Sequence, residues 1–178
     1  MNHDTGITNV LLAGVGGQGI ILASEVLCQA ALIEGLDVKK SEVHGMSQRG
    51  GAVNSHVRFS QGKVFSPLIP AGQARFLVAM EKLEALRWEH FLAPGGTILV
   101  NDFRLDPASV ACGKVSYTDD AIGRLRAKHA DRVIVADGPA LALEAGNPRV
   151  MNTVILGLLS NYLPFSLEHW QEALADKI

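Results

Sequence analysis

The sequence predicts an α/β fold: a single three-layer domain, a mostly parallel sheet with helices on both faces and one inserted antiparallel hairpin. Three observations carry this reading. Apolar runs of strand length alternate with amphipathic segments of helix length along most of the chain. The first apolar run ends in a glycine cluster that opens straight into a helical pattern. A polar glycine-bearing stretch, followed by a strongly alternating segment, breaks the rhythm once.

Asn9 to Ala13 reads as a strand and Gln18 to Ile33 as a helix, in which polar Gln18, Glu25 and Gln29 share one stripe of an otherwise apolar cylinder. Such a helix lies largely buried against a sheet. Asp37 to Val43 reads as a second strand, so the chain opens with a βαβ unit. His44 to Gly51 is a polar loop, and Ala52 to Phe59 alternates too much for a central parallel strand. Ser60-Gln61-Gly62-Lys63 has the chemistry of a hairpin turn leading into Val64 and Phe65, which makes this region the antiparallel insertion. Strand, helix and strand then recur as Arg75 to Met80, Glu81 to Leu92 and Gly96 to Asn101, and again as Lys114 to Tyr117, Asp120 to His129 and Arg132 to Ala136. Asn147-Pro148 pairs a helix cap with a first-turn proline, which predicts an apolar helix running to about Asn161. Ser166 caps a last helix whose Leu167, Trp170, Leu174 and Ile178 share a face.

With 178 residues, 48% hydrophobic and 19% charged, residues 1–178 form one globular domain able to bury a core without disulfides or structural metal. Sixteen Lys and Arg against eighteen Asp and Glu, with no block of like charge, leave no electrostatic footprint for nucleic acid or anionic lipid. The uncharged stretches Thr5 to Ser24 and Val150 to Leu167 reach membrane-spanning length, but glycines, asparagines and Pro164 interrupt them, so no membrane span is expected. The amino terminus has no basic segment and no cleavage pattern of a secretory signal. Cys28 and Cys112 are the two cysteines, far apart, too few for an iron–sulfur cluster or a Cys-based zinc site, and a reducing cytoplasm is the expected setting. The six histidines show no spacing that would put two nitrogens on one helical face, so no metal site is expected.

Two segments carry chemistry. Gly14-Val15-Gly16-Gly17-Gln18-Gly19 fits G-x-G-x-x-G between a strand and a helix, where bare N–H groups and the helix dipole favour an anion; Gly14, Gly16, Gly17, Gln18 and Gly19 are the candidate cofactor contacts. A dinucleotide reading also wants an acid at the end of the second strand, and Glu42 fills that place. Three glycines can equally serve close packing of helix on strand. The second segment, Ser41 to Gly51, lies on the same sheet edge and offers an imidazole, a hydroxyl, an amide and a guanidinium within six residues, the plainer reading being a surface loop with solvated side chains. A hydrolase triad has no support, since no Gly-x-Ser-x-Gly elbow occurs. Asp137-Gly138-Pro139 closes a strand where its carboxylate could stand at the active edge, and a strand-to-helix turn explains it equally well; Asn101-Asp102 closes the preceding strand in the same way and is no more decisive.

The glycine loop GVGGQG, the segment KKSEVHGMSQRGGAVNSHVRF and the later KVFSPLIP together resemble the small beta or gamma subunit of 2-oxoacid:ferredoxin oxidoreductases, nearest to the indolepyruvate branch. The resemblance runs from Val10 through EKLEAL into LAPGGTILVND and weakens after Leu105; SEVHGMSQRGG is its specific part. It implies a fold like the gamma domain of pyruvate:ferredoxin oxidoreductase. It also implies a subunit of a complex that oxidatively decarboxylates 2-oxoacids to acyl-coenzyme A and passes electrons to ferredoxin. The chain carries neither the cysteine runs of such an enzyme nor a Gly-Asp-Gly segment with paired asparagines. The resemblance therefore places thiamin diphosphate, Mg and [4Fe-4S] clusters on a large partner subunit, with coenzyme A as co-substrate. This chain would complete the active site and be inactive alone, meeting ferredoxin only through the complex, with self-association of the isolated chain left open. In that edge Arg49 is the preferred cation for a carboxylate or phosphate, Gln48 and Ser47 are hydrogen-bond donors, and His44 is a proton donor or an interface residue. Two alternatives stand beside it: a stand-alone nucleotide-binding dehydrogenase or adenylating enzyme using the glycine loop and Glu42, and a purely structural docking subunit.

Overall fold

A strand buried on both faces must carry apolar side chains on both, and the first strand does: from Asn9 to Val15 every residue is buried. The computed structural model describes residues 6–44, 50–106, 108–114 and 116–178, the side chains of His44 and Ser109 excepted. Its elements are β1 (Thr8–Val15), α1 (Ile20–Ile33), β2 (Asp37–His44), β3 (Ala52–Ser60), β4 (Ala74–Ala79), α2 (Lys82–Trp88), β5 (Leu92–Asn101), α3 (Ala108–Ala111), α4 (Ala121–His129), β6 (Val133–Ala136), α5 (Gly138–Glu144), α6 (Met151–Ser160) and α7 (Leu167–Lys177). The six-stranded sheet has the order β2-β3-β1-β4-β5-β6. Strands β1, β4, β5 and β6 are mutually parallel, while β3 runs antiparallel to both β1 and β2.

Alternation along β1 feeds two cores. Val10 and Leu12 join Val26, Leu27, Ile155, Leu159 and Trp170 on the face covered by α1, α6 and α7. Leu11 and Ala13 join Leu77, Ala85, Ile98 and Leu125 under α2 and α4. The architecture is therefore the three-layer α/β sandwich the sequence predicts.

Several local expectations are corrected. The first two strands and α1 are not a simple βαβ unit, because β3 slots between β1 and β2; the antiparallel pair is β2 with β3, from Asp37↔Ser60 to His44↔Val53. Ser60 to Lys63 accordingly turns into no strand, and Val64 and Phe65 belong to an irregular segment. That segment is pinned by side chains. Arg58 donates to Asn9 Oδ1 (2.8 Å) and to the Ser66 and Leu68 carbonyls (2.8 and 3.0 Å), and Val64 N–H donates to Asp37 Oδ2 (2.6 Å). His56 Nδ1 accepts the Ile69 N–H at 3.1 Å. Burial pushes the His56 imidazole below its ordinary pKa, and the neighbouring Arg58 adds to it, which suits a ring that accepts.

The helix expected over Glu81 to Leu92 ends at Trp88 in a 3-10 turn, Glu89–Phe91, because Leu92 already begins β5. The described part of Lys114 to Tyr117 forms no strand, Val115 lying outside the described residues. Helix α3 had no sequence expectation, whereas α5 follows the strand-to-helix turn read at Asp137-Gly138-Pro139: Asp137 caps it, its carboxylate accepting the Ala140 N–H at 3.0 Å. Asn147 caps as expected, but a 3-10 turn, Pro148–Val150, precedes α6.

Ser166 caps α7 through the His169 N–H at 3.2 Å. The buried face of α7 is Trp170 and Ala173 with half-buried Leu174, whereas Leu167 and Ile178 are exposed: the stripe follows the contact with α1. Glu34, just past α1, fastens that contact by accepting from the Ser166 N–H (2.9 Å) and meeting His169 Nδ1 (2.8 Å). His169 first, and the Ser166 N–H second, hold the Glu34 carboxyl below its usual range. A lowered native pKa gives stability that is present above the unfolded value of about 4.3 and lost as pH falls through the native value. Urea melts between pH 7 and pH 3 should therefore lose stability in the acid range in part through Glu34. Glu34→Ala should flatten that part of the profile and raise hydrogen exchange first in residues 166–178.

Candidate functional site

Strands β1, β4, β5 and β6 end along one edge, where α1 and α5 begin, and in an open α/β sheet ligands collect at this edge. The glycine loop turns there. Gly17 and Gly19 hold φ of 102° and 73°, a region that side-chain-bearing residues rarely adopt. Gly14 needs its missing Cβ for a different reason: an added carbon would come within 2.8 Å of Gln18 Oε1 and 2.9 Å of Ile20 Cδ1.

Gln18 is not on the solvent stripe of α1, as the helical spacing suggested, but precedes the helix and is buried. Its Oε1 accepts the Val15 N–H at 2.8 Å and its Nε2 donates to the Met80 carbonyl at 2.9 Å. From the other side Asn101 Nδ2 reaches the same carbonyl at 3.2 Å, while Asn101 Oδ1 accepts the Gly138 N–H at 2.9 Å. Asn152, at the start of α6, donates to the Gly19 carbonyl at 3.2 Å. Three buried amides thus tie the ends of β1, β4 and β5 and the starts of α1, α5 and α6 into one frame. Sequence reasoning assigned no role to Met80 and Asn152, and took Asn101 as turn chemistry; a buried amide at a strand end leaves no periodic signal.

What remains open at this edge is main chain. No side chain caps α1, and its first i to i−4 bond runs from Ala23 to Gly19, so the N–H groups of Ile20, Ile21 and Leu22 precede the helical ladder behind exposed Gly17. The second segment meets this loop. Gly16 N–H donates to the Gly51 carbonyl at 2.8 Å, and the Gly50 carbonyl accepts from Ala108 at 2.7 Å. His44 ends β2 opposite Val53, which is itself opposite Gly14, so two strand spacings, roughly 10 Å, separate the His44 and Gly14 backbones. Ser47, Gln48 and Arg49 lie outside the described residues, as does the side chain of His44.

Glu42 sits on β2, with β3 between it and the glycine loop, and pairs with Lys40 at 2.6 Å. That is a poor place for the ribose-holding acid of a dinucleotide fold. Glu81, wholly buried just past Met80, caps α2 through the Glu84 N–H at 2.9 Å and accepts from the Tyr117 hydroxyl. Burial, with that bond to Glu81, pushes the Tyr117 hydroxyl above its usual range, and the Arg104 guanidinium stacks on the ring at 4.0 Å. Cys28 is a packing residue whose thiol burial pushes up to about 11. Among the described residues no group of three His, Cys, Asp or Glu is placed to hold a metal ion.

Replacing Gln18 by Leu should keep the volume and orphan the buried Val15 N–H, lowering unfolding free energy by about 2–3 kcal/mol. Gly19→Ala forces an alanine into φ 73° with its Cβ 2.5 Å from Asn152 Nδ2 and should cost about 1–3 kcal/mol. Urea denaturation of the two variants checks both.

The family model for pyruvate ferredoxin/flavodoxin oxidoreductase matches residues 9–178. Indolepyruvate oxidoreductase subunit IorB of Archaeoglobus fulgidus is 41% identical over 172 residues, covering 94% of this chain and 84% of that protein. Pyruvate oxidoreductase subunit PORC of Thermotoga maritima superposes with TM-score 0.72 at 20% identity over 97% of this chain and 86% of that one. The 2-oxoglutarate:ferredoxin oxidoreductase of Magnetococcus marinus, solved with 2-oxoglutarate, coenzyme A and succinyl-CoA, gives TM-score 0.71 at 20% identity over 97% of this chain but 27% of its own. These two structures share the fold.

Proposed function

The chain belongs to the pyruvate ferredoxin/flavodoxin oxidoreductase family, and we propose that it works as the small subunit that completes the active site of a 2-oxoacid:ferredoxin oxidoreductase and is inactive alone. The complex converts a 2-oxoacid to acyl-coenzyme A and delivers the electrons to ferredoxin. Kinship to indolepyruvate subunits across almost the whole chain favours an arylpyruvate substrate.

A [4Fe-4S] cluster takes three or four thiolates, and this chain has two cysteines, so the residues present do not fit one. Thiamin diphosphate, Mg and the clusters are therefore assigned to the large partner, where they supply decarboxylation and electron transfer. The contribution of this chain is an edge. The observation that carries the reading is the hydrogen bond from Gly16 to Gly51, which brings the bare N-terminus of α1 beside the end of the family-specific segment. Main-chain N–H groups at a helix start suit a phosphate or carboxylate, and they need no reorganisation when the anion arrives. Arg49, on the loop whose end is anchored there, is the candidate cation, with Ser47 and Gln48 as donors and His44 as a proton donor or contact residue. Closing such an edge over the partner's pocket also excludes water from the reaction. Unpaired Cys28 and Cys112 are in keeping with a cytoplasmic setting, and no helix among the described residues is long and apolar enough to cross a membrane.

A purely docking role is the second reading. It is favoured by the spent state of Gln18 and by the close packing at Gly14, which account for much of the glycine motif without a ligand. The two separate in one experiment. Co-expressed with the large subunit, Arg49→Ala should assemble normally yet lower acyl-CoA formation and ferredoxin reduction in parallel by roughly 10- to 100-fold, the loss expected for one charge-assisted contact of ~1.5–3 kcal/mol. Full turnover in the assembled variant would remove Arg49 from the site and leave docking as the function of the loop.

A further inference from the structure

Strand β2 borders the sheet: β3 pairs with one of its sides, and among the described residues no strand pairs with the other. Such an edge is a template for another strand unless it is covered. The β2 sequence, Asp-Val-Lys-Lys-Ser-Glu-Val-His, is self-complementary when laid antiparallel against its own copy. A two-fold axis perpendicular to the sheet keeps the faces of both copies aligned, so only registers centred on a residue are available. Centring on Lys40 sets Lys40 against itself, and centring on Glu42 sets Glu42 against itself. Centring on Ser41 sets Lys40 opposite Glu42 twice and leaves only the Ser41 hydroxyls facing each other.

Exposed apolar groups lie beside the same edge. Val43 is 48% exposed, and Phe65, next to the Val64 that Asp37 of β2 holds, is 85% exposed. Phe65 is not on a loose tail, since Arg58 grips the carbonyls on either side of Pro67 and the Asp37 carboxylate holds the Val64 N–H. An aromatic held out by a fixed main chain gives up little entropy on contact, which is the character of an interface anchor. The Ser41-centred register brings Val43 of one copy opposite Lys39 of the other, toward the end of β2 where Asp37 fixes the Phe65 segment.

We propose that β2 pairs antiparallel with β2 of a second copy, with Ser41 on the two-fold axis, the Lys40–Glu42 pair of each copy facing that of the other across it so that the four charges alternate, and Phe65 and Val43 packed at its flanks. The inference uses only the geometry of this edge and is independent of the reaction assigned above, so its failure leaves that assignment untouched.

The full chain, purified alone, should dimerise reversibly in sedimentation velocity runs over a concentration series. With Cys28→Ser and Cys112→Ser as background, Ser41→Cys should cross-link to completion in oxidised glutathione, because directly opposed Cα atoms about 4.5–5.5 Å apart lie within disulfide reach. Lys39→Cys, opposite Val43, should not cross-link. Glu42→Lys sets lysine against Lys40 on both sides of the axis and should weaken the dimer about tenfold or more with an unchanged circular dichroism spectrum. A monomer at every concentration, a dimer in which Ser41→Cys stays reduced, or equal cross-linking of Lys39→Cys would overturn the proposal.

Discussion

The carbonyl of Met80 is where the candidate edge is held together. Gln18 reaches it from the β1 side at 2.9 Å and Asn101 from the β5 side at 3.2 Å. A buried carbonyl with two lone pairs can take two donors, and here both come from side chains whose other ends secure main-chain N–H groups, Val15 for Gln18 and Gly138 for Asn101. The glycine loop is thereby fixed before any ligand or partner arrives. Its geometry belongs to the frame of the sheet, and the uncapped N–H groups at the start of α1, behind exposed Gly17, are what the frame leaves for chemistry.

The insertion of β3 between β1 and β2 is the second constraint, and it changes what the glycine motif can mean. In a dinucleotide fold the ribose-holding acid stands on the strand next to the glycine loop. Here that neighbour is antiparallel β3, which offers Val53 and Asn54 opposite Gly14 and Ala13, while the acid of β2 is one strand further out. The same insertion sends β2 to the border of the sheet. It also makes the family-specific segment the connection between β2 and β3, with its two ends held by the ladder between them. One topological change thus takes the acid of β2 away from the glycine loop, puts β2 at the border of the sheet and holds Gly51, the end of the polar segment, beside the start of α1.

Much of the layer architecture was legible because it rests on period. Apolar runs of strand length in β1, β4 and β5 and the caps at Asn147 and Ser166 are local signals, and they led to the right elements. The strand order was not legible. An antiparallel strand entering the middle of a sheet differs from one at its border only in what lies on either side, and that is a long-range fact. Nor was the irregular path after β3: Val64 and Phe65 look like strand residues, but Arg58 and Asp37 use their charges on the main chain of this stretch, and among the described residues no strand pairs with it. For the site, the convergence of the two glycine-bearing segments follows from the edge rule. The buried amides of Asn101 and Asn152 do not, because a lone asparagine reads as a turn residue whether or not it is spent inside.

The distribution of spent and open groups bears on why such a domain would act as one part of a larger enzyme. The carboxylates fixed at this edge are committed: Glu81 to the cap of α2 and to Tyr117, Asp137 to the cap of α5, Asp102 to Lys82 at 2.8 Å. The amides are committed to the frame. A site built on main-chain donors and one polar loop can position and neutralise an anion. Preorganised donors are worth most where water is excluded, and a sheet edge open to solvent excludes none until something covers it. The function proposed above asks for the chemistry and the cover from one source, a partner surface that would bring its reactive group against this edge and close the site in doing so.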